Sequence, residues 1–392
     1  MKYFLTFISC FSLCILSGCW DESPIDERGF VIGSALDTSD NSQNGLYDIT
    51  LTSQFVIPDK LSNPSQGQGG GEQSAFKNIS VSGQSSFQIS RNMLSLTSLI
   101  PNYEHLKILV ISTDIAEESE LFSSVVDGFI RDHEMRRGIK VMVAEGAAKE
   151  ILEVKSDTEQ LPSRLIDTIM ENNVKSLELI EPVRVGELHR YLLNESSYVL
   201  PLLSLSDDGY IQYDSIAVFN GKADQKVGSL TGDDIKGLNL IRGNVTNGII
   251  LFYIDGHPMV YEINTASSSV NINVVNPDDI QVTVSVDTEG SIAEMFGSRT
   301  LLDQSYIHKI ESQINKRIEQ IITTTIRKGQ EELQVDIFGF RNILRQKHYN
   351  DWEKIENNWE EGEQIFSNNT TVEVSSDAIV RNIGASDKAK DQ

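Results

Sequence analysis

Positive charge is in short supply in this sequence: 33 Lys and Arg stand against 57 Asp and Glu, a formal charge of −24. Affinity for nucleic acid comes mainly from Lys and Arg set against phosphate, so a chain this acidic, with no dense basic stripe, is not expected to bind nucleic acid. Cysteine is nearly absent. Its three copies, Cys10, Cys14 and Cys19, all fall near the N-terminus, which leaves the body without a disulfide framework, a thiolate zinc site or a cysteine nucleophile. Proline is limited to nine residues and aromatics to 7%, but hydrophobic residues reach 39%, the composition of a folded chain. Past residue 19 no apolar run approaches the roughly 18 residues of a membrane-spanning helix; the longest are Leu106–Ser112 and Ile249–Ile254.

Constellations that carry chemistry are missing too. The histidines His105, His133, His189, His257, His308 and His348 include no pair at helical metal-binding spacing, and His133-Glu134 lacks the second histidine of a zincin. No Gly-x-Ser-x-Gly elbow supplies a serine nucleophile. Asp40–Gly45 fits the opening of a calcium loop but meets Leu51 where a bidentate Glu is needed, so it reads as an Asx-rich turn. The glycines from Gly67 to Gly71 precede no Gly-Lys-Ser/Thr and read as a linker. Acidic pairs such as Asp207-Asp208, Asp233-Asp234 and Asp278-Asp279 stand at turns or helix starts, where carboxylates cap N–H groups. No enzymatic activity, metal or cofactor is therefore expected.

What is present begins at the N-terminus. Lys2 precedes an almost uncharged apolar stretch, Tyr3 to Leu16, of signal-peptide length. It ends in Leu16-Ser17-Gly18-Cys19, which resembles the lipobox of bacterial lipoproteins: small side chains fit a peptidase groove and the Cys19 thiol carries the lipid. Residues 1–18 are then a cleaved leader, and Cys19 is the attachment point for membrane lipid. The acidic body is repelled by an anionic membrane surface, so such an anchor has to be covalent.

Patterning of the body predicts an α+β chain. Strands are expected at Phe30–Gly33 and Tyr47–Val56 across the turn Asp37–Gly45, then at Leu106–Ser112 and Ile139–Ala144. Helices are expected from Ser85 to about Ser98, within Ile115–Arg136 and over Leu161–Asn172. Tyr198–Gly209, with its Pro, Ser and Asp, reads as a connector and main boundary. Beyond it come a strand at Ile216–Asn220, a helix from Thr231 to Leu240, and a hairpin turning at Asp255-Gly256, where positive φ is required. Val270–Val274 and Ile280–Val286 alternate like half-buried strands. Isoleucines from Ile307 to Ile326 recur at spacings of three and four, predicting a long amphipathic helix in the C-terminal domain, stopped near Gly329. The expected division is an N-terminal domain over 19–200, a middle domain over 208–268, a C-terminal domain over 269–384 and a polar tail over 385–392, with mostly antiparallel or mixed sheets.

Several segments in order carry a resemblance. They are Gly18-Cys19-Trp20-Asp21 with Ile25-Asp26 and Val31-Ile32-Gly33; His105-Leu106-Lys107; Phe129–Arg136; Ala217–Lys222; Gly237-Leu238-Asn239-Leu240 leading to Gly243; and Val335–Phe340 with Trp352 and Trp359. Together they resemble the Ger(x)C family, the lipoprotein C subunits of bacterial spore germinant receptors. The resemblance spans nearly the whole mature chain, apart from a Gly-rich insertion at Gln66–Glu72 and the polar tail. It implies a non-enzymatic, three-domain protein anchored on the outer face of the spore inner membrane, partnered by integral-membrane A- and B-type subunits in nutrient-triggered germination. An alternative from another class is the lipid-anchored solute-binding protein of a transporter, whose lobes normally alternate strand and helix.

Two segments are candidates for partner contact. Arg131, Arg136 and Arg137 concentrate positive charge on a negative body and are the expected docking residues. Trp352 and Trp359, with Phe338 and Phe340, could anchor an interface, but their packing against the long helix is the favoured reading.

Overall fold

The computed structural model describes residues 28–39, 48–61, 74–132, 135–243, 245–296 and 301–383. Strands β1 (Arg28–Thr38), β2 (Ile49–Val56), β3 (Phe76–Gly83), β4 (Ile100–Asn102), β5 (Ile108–Ser112), β6 (Lys140–Ala144), β7 (Tyr198–Leu205), β8 (Ile211–Asn220) and β9 (Gln225–Thr231) form one mixed sheet. Its order is β3-β2-β1-β5-β6-β7-β8-β9, with β4 paired to the start of β1. The centre, β1-β5-β6-β7, is parallel and the flanks are antiparallel. Leu109 and Ile111 face one core while Ile108 and Val110 face the other, which is why this strand is apolar without alternation: both of its faces are covered. Helices α1 (Ser86–Met93) and α2 (Leu121–Arg131) lie on the first face, α3 (Pro162–Met170) on the second and α4 (Val185–Leu193) on the first.

The second sheet is built from β10 (Gly248–Ile254), β11 (His257–Asn276), β12 (Asp279–Met295) and β13 (Thr370–Asn382) in that order, with only the β12–β13 pair parallel. Asp255 and Gly256 both have positive φ, so the β10–β11 turn has the geometry its sequence demands. Along β12 the alternation is literal, with Ile280, Val282, Val284 and Val286 all buried. Over this face lie α5 (Asp233–Arg242) and α6 (Gln304–Arg327), the latter burying Ile310, Ile314, Ile318, Ile321, Ile322 and Ile326. The two helices cross closely at Gly237, where a Cβ would stand 2.1 Å from the Thr325 hydroxyl oxygen. Helices α7 (Phe340–Lys347) and α8 (Tyr349–Ile355) follow. The architecture is thus mixed α/β and multidomain, with mixed and antiparallel sheets.

Several expectations are corrected. Tyr198–Leu205 is a strand buried between β6 and β8, not a connector; Pro201 is tolerated because the ladder to β6 begins only at Leu202. The sheet therefore runs on past residue 208, and residues 268 and 269, placed at a domain border, lie inside the unbroken β11. The helix expected to reach Ser98 ends at Met93, closed by Leu96 N–H donating to the Met93 carbonyl. Asp37 belongs to β1, not to a turn, and its carboxylate caps the N–H groups of Ala148 and Lys149 at 2.6 and 3.0 Å. Gly329 does not stop the long helix. It admits the Phe338 ring, which a Cβ would meet at 2.7 Å, and a π-helical turn over Lys328–Leu333 continues to Gln334, whose left-handed conformation (φ 56°) breaks the run. The turn over Asp40–Gly45, the Gly-rich segment and the polar tail lie outside the described residues.

Candidate functional site

The two sheets meet at a polar joint assembled from segments far apart in the chain. Asp336 sits four residues ahead of Phe340, the first residue of α7, and is buried. Its Oδ1 accepts from the N–H groups of Phe338, Gly339 and Phe340 at 3.1, 3.0 and 3.2 Å. Its Oδ2 accepts from Arg341 N–H at 2.6 Å and Trp359 Nε1–H at 3.2 Å. Gly339 makes this wrap possible with φ 86°, and the unpaired N–H groups of the helix start converge on the anion. Burial pushes the Asp336 carboxyl up, against the pull of those donors.

A second carboxylate backs the first. Glu360 Oε1 accepts from Asp336 N–H, and Oε2 accepts from Ser197 Oγ–H at 2.8 Å. Burial, with the Asp336 charge beside it, pushes Glu360 up to about 7. Ser197 in turn accepts from Gly221 N–H at 3.1 Å. Gly221 has no room for a side chain, since a Cβ would lie 2.1 Å from the Ser196 carbonyl carbon. Around this centre Lys222 pairs with Glu361 at 2.5 Å, Arg341 donates to the Glu195 carbonyl, Arg345 donates to Asn194 Oδ1 at 3.2 Å, and Arg242 donates to the Ile337 carbonyl at 3.1 Å. Each donor is matched by an acceptor, so the cluster acts as a clasp between the sheets, not as an exposed reaction centre.

The proposed docking arginines are distributed differently from their sequence cluster. Arg131 ends α2 and is ion-paired to Asp127 one turn back at 2.5 Å, while Arg136 and Arg137 are exposed. The Arg137 carbonyl accepts from Gly186 N–H at 3.0 Å, and its side chain edges a shallow pit with Met135, Val185 and His189. Asp127 belongs instead to the wall of an open groove of about 580 Å³ between the Gln84–Ser86 turn and α2. His133 and Glu134 lie outside the described residues, as do Leu16, Ser17, Gly18 and Cys19.

Trp352 and Trp359 are buried, with ring centroids 6.0 Å apart, and Trp359 packs on Phe366 at 5.6 Å. They belong to the core, which removes them as an exposed interface. Among the described residues no three His, Cys, Asp or Glu side chains converge as a metal site, and no helix is long and apolar enough to cross a membrane. The clasp was missed from sequence. The one local signal was Asp336 followed at the third position by Gly339, the spacing of a carboxylate wrapped by its own downstream N–H groups.

Two family models match this chain: the spore germination protein N-terminal domain over residues 21–205 and the spore germination B3/GerAC-like C-terminal region over 214–384. Among curated relatives, the chain is 28% identical to spore germination protein YndF of Bacillus subtilis (strain 168) over 371 residues, covering 90% of this chain and 91% of that one. It is 26% identical to spore germination protein B3 of the same organism, covering 91% and 92%. The crystal structure of the GerBC protein shares the fold, with a TM-score of 0.59 at 20% identity, covering 90% of this chain and 99% of that one. The chain belongs to the GerAC-like family of spore germination proteins.

Proposed function

We propose that this protein is the lipid-anchored, non-enzymatic C subunit of a spore nutrient germinant receptor, held on the outer face of the spore inner membrane and acting with integral-membrane A- and B-type subunits. The observation that carries the reading is the end-to-end family match from residue 21, directly behind the leader and Leu16-Ser17-Gly18-Cys19. An acidic protein whose polar clusters are spent on internal clasps works by contact, and lipid at Cys19 supplies the membrane attachment its charge opposes. Arg136 and Arg137 are the exposed cations offered to a partner.

Purification of the detergent-solubilised protein from spore membranes tests the assignment. The expected result is recovery with two multi-span proteins; recovery with a permease and an ATPase would replace it with the transporter reading. Cys19→Ala is expected to block leader processing and move the protein into the soluble fraction, and tight membrane retention of that variant in high salt would refute the anchor.

A further inference from the structure

The sequence from Gln73 to Tyr103 contains no Asp or Glu, in a chain with 57 acidic residues among 392. Its only charges are Lys77 and Arg91. At the end of this window the structure exposes large apolar side chains: Phe87 is 58% exposed, Leu94 42%, Leu96 57% and Ile100 42%. Phe87, Arg91 and Leu94 follow one another at spacings of four and three along α1 and its C-cap, so they share a face. The Arg91 guanidinium lies 5.3 Å from the Phe87 ring centroid. The segment thus exposes apolar side chains and a cation with no carboxylate of its own, on a body otherwise dense in negative charge.

The end of this segment lies beside the start of β1, where the described chain begins. Ile100 pairs with Arg28 at the start of β1, and the Leu99 side chain reaches to 3.0 Å of where a Gly29 Cβ would stand. Eight residues lie between Cys19 and Arg28, so the nine steps from one to the other span at most about 30 Å when fully extended. Four of these residues, Asp21, Glu22, Asp26 and Glu27, are acidic, so the tether itself is disfavoured against anionic headgroups, whereas the neighbouring apolar, cationic surface is not. We infer that Phe87, Leu94, Leu96 and Ile100, with Arg91, form a membrane-contact patch that rests on the lipid surface beside the anchor and fixes the orientation of the molecule. Apolar side chains enter the acyl boundary and Arg91 meets phosphate headgroups, as on an interfacial helix. The inference rests on lipidation at Cys19.

The test uses the full, membrane-extracted protein reconstituted into vesicles of phosphatidylethanolamine and phosphatidylglycerol. The body has no cysteine beyond Cys19, so Leu96→Cys supplies a unique thiol for an environment-sensitive dye, and Val275→Cys, on the β11–β12 hairpin of the second sheet, supplies the control. Mass spectrometry of the N-terminal peptide reads the anchor separately. The expected result is a lipidated Cys19, a blue-shifted dye at residue 96 that spin-labelled lipid quenches, and a water-like dye at residue 275. A lipidated protein whose two sites respond alike overturns the patch and leaves the anchor standing. Shielding of residue 96 only when the integral-membrane subunits are present assigns the surface to a protein partner and overturns the lipid contact. An unmodified Cys19 overturns the anchor and the inference together. As a second variant, Arg91→Glu in the Leu96→Cys background is expected to lose the blue shift on these anionic vesicles, and an unchanged shift would refute the headgroup role of Arg91.

Discussion

Glu360 makes the joint between the sheets sensitive to pH in a direction that can be worked out. Its carboxyl is raised from the ordinary 4.5 to about 7 by burial and by the neighbouring Asp336 charge. Between those values the folded protein holds a proton that the unfolded chain releases. Stability on this account is full below pH 4.5, falls as pH rises, and levels off above 7. A displacement of that size corresponds to about 3 kcal/mol between the two ends. Glu360→Gln removes the titration and keeps an oxygen to accept from Asp336 N–H, at the expense of rearranging the Ser197 contact. The difference in unfolding free energy, variant minus wild type, is therefore expected to rise with pH by up to about 3 kcal/mol between pH 4.5 and 7.5. Denaturant unfolding of both proteins across that range measures it, because titrating groups that do not touch Glu360 cancel in the difference, leaving Glu360 together with its coupled neighbour Asp336. A flat difference would show that Glu360 is as well solvated in the folded protein as in the unfolded chain, and the clasp would lose its half-buried second carboxylate.

Gly221→Ala drives a Cβ to 2.1 Å from the Ser196 carbonyl carbon and is expected to destabilise by about 2 kcal/mol or more. Gly138→Ala, with nothing within 4 Å of its new methyl, serves as the neutral control for the same denaturation midpoint. Arg136→Glu combined with Arg137→Glu changes two exposed side chains, so circular dichroism should be unchanged, recovery of the receptor complex reduced and nutrient germination slowed, with receptor-independent germination normal; wild-type assembly and germination would remove the docking role.

Legibility from sequence followed how local the deciding interactions were. The Asp255-Gly256 turn and the alternation along β12 were readable because positive φ and a two-residue period are properties of neighbouring residues. Leu94 and Leu96 fall inside the helix expected to reach about Ser98, and Leu99 just beyond it, whereas the helix ends at Met93. Their apolar character instead belongs to an exposed surface and to the contact with Gly29, which no local pattern encodes. Tyr198–Leu205 was misread because Pro201 and the serines look like a linker in isolation; only its flanking strands β6 and β8 make it a strand. Of the clasp only the Asp336–Gly339 spacing is local; its other half is out of reach, since Ser197 and Glu360 are 163 positions apart.

Two of the segments that carried the family resemblance, Ala217–Lys222 and Val335–Phe340 with Trp359, hold this joint together, and Gly237-Leu238-Asn239-Leu240 with Gly243 shapes α5. Gly221 is needed where the β8 end passes the Ser196 backbone, and Gly237 where α5 crosses α6. Gly243, at φ 74°, ends α5, Asp336 and Gly339 start α7, and Trp359 closes the ring of donors around Asp336. A residue whose polar atoms are already satisfied inside the fold, or whose missing Cβ is occupied by a neighbour's backbone, has nothing left to offer a ligand without dismantling its own contacts. Ala217–Lys222 and Val335–Phe340 with Trp359 therefore serve to fix the two sheets to each other. The surfaces this clasp leaves open are the groove beside α2, the exposed Arg136 and Arg137, and the apolar side chains Phe87, Leu94, Leu96 and Ile100, and it is at the last two that the binding tests above are aimed.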